Sequence, residues 1–84
     1  MADSVAGMQV QVEFVGPVRR PWPQRRGDAP IEVGATVASL LAQLGFAPAE
    51  ARFLSVLVNG ARVAATTPLA AGDHVVVALM VGGG

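Results

Sequence analysis

Met8, Val10, Val12 and Phe14 alternate with Gln9, Gln11 and Glu13. Successive side chains of a strand point to opposite faces, so this period of two makes residues 8–14 a strand with one face turned to a core. A helix through the same residues would scatter the four apolar side chains around its circumference. Near the other end, Val75 to Val81 is a continuous apolar run, as suits a central strand covered on at least one face. The two strands are expected side by side and parallel in the middle of one sheet. The residues between them must then supply a crossover.

One segment has helical spacing. Val37, Leu40, Leu41 and Leu44 follow Thr36, whose hydroxyl can cap an orphan amide, and Gly45 stands where a left-handed C-cap residue is wanted. This predicts a helix over about 36–44, with one further turn at Pro48–Arg52. Residues 17–30 contain Pro17, Pro21, Pro23 and Pro30 and four arginines around Trp22, which reads as a long exposed connection. A short strand is expected at Ile31–Val33. Leu54–Val58 reads as a buried strand, Asn59-Gly60 as a hairpin turn, and Ala61–Val63 as its return. The order strand, strand, helix, strand, short strand, strand gives the fold class α+β, a roll with one main helix on a mixed sheet of four to five strands. Residues 1–7 are expected to be a disordered N-terminal segment, 8–81 the β-sheet domain, and 82–84 a flexible glycine tail.

Composition removes most chemistry. With 84 residues the chain makes one domain, which buries roughly 60% of its unfolded surface. Hydrophobic residues make up 52% and charged residues 14%, which excludes intrinsic disorder. Six arginines balance six carboxylates, so neither a basic nucleic-acid binder nor an acidic tail protein is expected. There is no cysteine, no lysine and no tyrosine, and His74 is the single histidine. Disulfide scaffolds, thiol catalysis, lysine Schiff bases and histidine metal clusters go with them. Neither a signal peptide nor a membrane span is visible, and a cytoplasmic location is the expectation. His74 beside Asp73 could in principle form a base, although an exposed turn histidine explains it as well. Arg19, Arg20, Arg25 and Arg26 around Trp22 read as a solvated loop, or as a contact for an anionic partner or for nucleic acid, the last opposed by Asp28 and the neutral total charge.

The remaining feature is the end, Val81-Gly82-Gly83-Gly84. Three glycines can be an inert tail. They can also form a finger without side chains, able to enter a narrow channel that any Cβ would block. In that case the α-carboxylate of Gly84 is the reactive group.

Leu57-Val58-Asn59-Gly60, Thr67-Pro68-Leu69, Gly72-Asp73-His74-Val75 and Val81-Gly82-Gly83-Gly84, in that order, resemble the MoaD/ThiS-type sulfur carriers. The resemblance implies a ubiquitin-like β-grasp fold and a role as protein cosubstrate or small subunit rather than enzyme. It implies adenylation of Gly84 by a ubiquitin-activating-type enzyme that uses ATP, with no cofactor bound to the chain itself. A persulfide donor then converts Gly84 to a thiocarboxylate. A synthase accepts the sulfur, either the molybdopterin synthase large subunit or thiazole synthase. Met80, Val81, Gly82 and Gly83 are the implied partner-binding residues, and neither nucleic acid nor membrane is an implied partner. Val12-Glu13-Phe14-Val15-Gly16-Pro17-Val18-Arg19 is similar to the molybdopterin branch, and Ala78-Leu79-Met80 to the thiamine branch. A ubiquitin-like interaction module with an inert tail is the alternative from another class.

Overall fold

The computed structural model describes residues 8–16, 18 and 23–79. Five strands form one sheet: β1 (Met8–Val15), β2 (Arg26–Ile31), β3 (Leu54–Val58), β4 (Ala61–Arg62) and β5 (His74–Leu79), in the order β2-β1-β5-β3-β4. Two helices, α1 (Val37–Gln43) and α2 (Pro48–Ala51), lie between β2 and β3 in sequence. β1 and β5 are adjacent and parallel in the centre, as expected, with Val12 opposite Val75 and Phe14 opposite Val77. The other pairs are antiparallel. No helix among the described residues is long and apolar enough to cross a membrane.

The alternation in β1 turns Val10, Val12 and Phe14 inward, where they meet Val75 and Val77 of β5 and Val56 of β3. α1 covers this face with Val37, Leu40 and Leu41, joined by its C-cap Leu44, all buried. Leu54–Val58, expected to be a buried strand, buries only Val56; Leu54 and Val58 are half-buried at the margin of the core, and Ser55 and Leu57 are half-buried on the other face. Both ends of α1 are closed by its own sequence. Thr36 Oγ1 accepts from Ser39 N–H at 3.3 Å, and Ser39 Oγ accepts from Thr36 N–H at 2.8 Å. Gly45 has φ +95°, its N–H donates to the Ala42 carbonyl, and Phe46 N–H donates to the Leu41 carbonyl. This is a Schellman ending, and it drives Phe46 into the core beside Phe14.

The second strand differs from the expectation. The connection does not run to residue 30, and the strand is Arg26–Ile31 rather than Ile31–Val33. Val33 lies in a turn and is exposed. Proline is tolerated because β2 is an edge. Phe14 N–H donates to the Arg25 carbonyl, so the hydrogen-bonded pairs are Val12/Gly27, Val10/Ala29 and Met8/Ile31. Pro30 falls between them, and its missing N–H would have pointed off the sheet. Its carbonyl accepts from Gln43 Nε2 of α1. Only Ala29 and Ile31 of this strand are buried, which leaves little apolar pattern to read. Arg25 and Arg26 are exposed, as expected; Arg19, Arg20 and Trp22 lie outside the described residues.

Candidate functional site

The last described strand residue is Leu79, at the end of the central strand β5. Met80, Val81, Gly82, Gly83 and Gly84, the residues expected to carry function, lie outside the described residues. What the structure fixes is the root from which they continue. Val75 and Val77 are fully buried, and Leu79 is 37% exposed. Five residues in extended form reach at most about 18 Å beyond that root. A partner acting on Gly84 must therefore also lie close to the end of β5.

The sheet face turned away from α1 surrounds this root. Strand registers place Arg26, Glu13, Val76, Leu57 and Arg62 in one row across all five strands. The centre of that row is apolar, and an arginine stands on each flank. The next row toward the end of β5 holds Val15, Ala78 and Ser55. Val15 is 43% exposed, while Val76, Ala78 and Leu57 are half-buried. The row at the start of β5 is polar, with Asp28, Gln11 and His74. The open face thus grades from polar at the entry of β5 to small and apolar at its exit.

The motifs of the sequence settle into structural roles. Asn59 and Gly60 have φ +53° and +86°, the pair of positive values that a tight hairpin turn requires. Asn59 Nδ2 donates to Asp73 Oδ1 at 3.0 Å, and His74 N–H donates to Asn59 Oδ1 at 3.0 Å. The other Asp73 oxygen accepts from Ala70 N–H at 2.8 Å. The β3–β4 turn is thereby bonded to the entry of β5. Thr67 accepts at its carbonyl from Val37 N–H, and Leu69 is buried, so Thr67-Pro68-Leu69 seats the start of α1.

No Asp73–His74 base forms. The Asp73 carboxylate is engaged elsewhere, and His74 Nε2 meets Glu13 Oε1 at 3.2 Å. His74 opens β5, as expected, and its side chain is 45% exposed. Glu13 was not legible as its partner, because 61 positions separate the two and only the parallel register joins them.

A mixed five-stranded sheet in this order, with one main helix across one face, defines a ubiquitin-like β-grasp protein. The ThiS family model matches residues 24–84, and the chain belongs to the ThiS family. No curated protein sequence matches it significantly. Among solved structures, it is similar to the HVO 2177 protein of Haloferax volcanii, with 26% identity over 94% of this chain and 89% of that one and a TM-score of 0.78. It is similar to small archaeal modifier protein 1 of Haloferax volcanii, with 25% identity over 89% and 100% and a TM-score of 0.72. Subunit 1 or 2 of the Helicobacter pylori molybdopterin-converting factor, solved as the complex of both, shares the fold at 22% identity over 92% and 100%, with a TM-score of 0.61.

Proposed function

We propose that the chain is a sulfur carrier whose C-terminal glycine, Gly84, is its working group. The observation that carries this reading is the family match, which runs through the last strand to Gly84. The chemistry requires a partner, because a carboxylate is a poor electrophile. Attack of the Gly84 carboxylate on the α-phosphorus of ATP expels pyrophosphate and leaves an acyl-adenylate. A persulfide on a donor protein then attacks the acyl carbon and AMP departs. A thiol cleaves the resulting S–S bond, leaving a thiocarboxylate on Gly84 and a disulfide on the donor. ATP supply places this cycle in the cytoplasm.

The open sheet face is suited to docking the adenylating enzyme and the sulfur-accepting synthase in turn. Val15, Val76, Ala78 and Leu57 lie beside the root of the tail, so a partner that holds the glycines reaches them as well. Glycine at 82–84 lets the tail lie extended in a narrow channel. Met80 and Val81 are the first residues such a channel meets.

We assign the carrier to molybdopterin synthesis, on the sequence segment Val12 to Arg19, which begins within β1. Delivery to thiazole synthesis is the second reading, favoured by Ala78-Leu79-Met80 and by the family match itself. An interaction module with an inert tail would keep the docking face and lack the chemistry. The test is ATP–pyrophosphate exchange with the adenylating enzyme of the same genome. The full chain supports exchange; the chain without Gly84, or with Gly83→Val, does not, although both keep the fold. Exchange by the truncated chain at the full rate overturns the reading.

A further inference from the structure

The side of the molecule opposite the open face carries an apolar groove of about 380 Å³ between α1, α2 and the outer side of β3. Ala38, Leu41, Ala42, Phe46, Leu54 and Val63 line it. The alanines leave the space that longer side chains would fill. Arg52 stands at its rim, exposed, with its guanidinium 5.6 Å from the centre of the Phe53 ring. Arg52 has no ion pair among the described residues, and Phe53 beside it is 58% exposed.

The backbone along this groove is also open. β4 has two residues, and Val63 N–H still donates to the Val56 carbonyl before the chain leaves for α1, where the Ala65 carbonyl accepts from Ala38 N–H. On its other side β3 meets β5, where Asn59 N–H donates to the His74 carbonyl. Antiparallel pairing alternates, so Ser55 and Leu57 turn their N–H and C=O groups toward β5, and Leu54, Val56 and Val58 turn theirs toward β4. β4 has ended before it reaches Leu54. Among the described residues no backbone bond reaches the Leu54 N–H or C=O.

The two edges of the sheet are therefore unequal. β2 carries Arg26, Asp28 and Pro30 along its edge, and Gln43 occupies its last outward carbonyl. Charge, proline and a side-chain cap are the usual protections of an edge strand. The β3 edge has none of these and lies over an apolar groove.

We infer that this groove docks an extended apolar segment of a partner protein that carries an acidic side chain. The segment pairs with Leu54 through its backbone and seats alternate side chains over Ala38 and Ala42. Its carboxylate meets Arg52, which carries the one charge among the described residues that line the groove. Strand addition of this kind draws affinity from main-chain bonds and selectivity from pockets at alternate positions. The site lies away from the open face, so the partner can be held while the tail is in use.

The probe is a capped synthetic peptide alternating valine and threonine with one terminal glutamate, titrated into the full chain and followed by amide NMR. Shifts confined to the groove and slower exchange of the Leu54 amide are expected. Arg52→Glu weakens binding about threefold to tenfold, and the same peptide with lysine for glutamate prefers that variant. Ala42→Leu, which fills the groove from an exposed helix position, weakens the original peptide as well. Both variants support pyrophosphate exchange at the normal rate, which separates this site from the tail chemistry. Shifts along β2 or on the open face, unchanged Leu54 exchange, or equal affinity for the two peptides overturns the proposal. So does peptide-independent self-association through the groove, which makes a second copy the occupant.

Discussion

His74 Nε2 lies 3.2 Å from Glu13 Oε1, a contact that joins the first residue of β5 to β1 across the parallel centre of the sheet. The two side chains are 45% and 27% exposed. Water screens a pair so placed, and its contribution is small. Glu13→Gln should lower unfolding stability by no more than about 1 kcal/mol in urea titration. A larger loss would mean that the pair orders the strands rather than decorating them.

Leu40 is fully buried at the centre of the face that α1 turns to the sheet. Leu40→Ala should cost about 2–5 kcal/mol, the range for deleting a buried leucine side chain. A domain this small has about 5–15 kcal/mol in total, so the variant should be partly unfolded at moderate temperature. Urea midpoints for Leu40→Ala and for the N-cap variant Thr36→Ala compare core with cap. The latter should lose about 0.5–2 kcal/mol through the broken capping box.

Asn59 holds a left-handed backbone and bonds both Asp73 and the His74 amide. Asn59→Ala removes both bonds and places a strained residue at positive φ; Asn59→Gly removes the bonds alone and should be the milder change. The double variant of Asn59→Ala with Asp73→Ala should lose less than the sum of the single losses, with a coupling of about 0.5–3 kcal/mol. Strict additivity in urea denaturation would show that the two side chains act independently.

Leu57 and Val76 occupy the apolar centre of the open face, between Arg26 and Arg62. Leu57→Asp should weaken the complex with the adenylating enzyme at least tenfold, a loss of about 1.4 kcal/mol or more. Gln9→Asp, at an exposed position near the start of β1, should leave affinity within about twofold, less than 0.5 kcal/mol. Calorimetric titration of the two variants distinguishes a docking face from a surface left bare.

The parts of this fold that bury a long regular pattern were legible from residues alone. The alternation in β1, the helical spacing closed by Thr36 and Gly45, and the Asn59-Gly60 turn each identify one element. The central parallel pair followed from their order. β2 was not legible at its true position, because an edge strand needs to bury little and two inward side chains make no pattern. Its charges and proline, read as signs of a loop, are what such an edge carries in place of a partner. The site shows the same division. Local sequence marks the glycine tail, but the open face is assembled from four register relationships among distant strands. The groove arises because β4 stops after two residues, an absence of pairing that no residue type announces.

The proposed cycle turns on conversion of the Gly84 carboxylate to a thiocarboxylate. Intact mass spectrometry of the chain, coexpressed with its adenylating enzyme and a persulfide donor, tests it most directly. A gain equal to replacing one oxygen by sulfur is expected, located by fragmentation at Gly84 and lost on alkaline hydrolysis. An unchanged mass with an active adenylating enzyme present, or added sulfur anywhere other than Gly84, would contradict it.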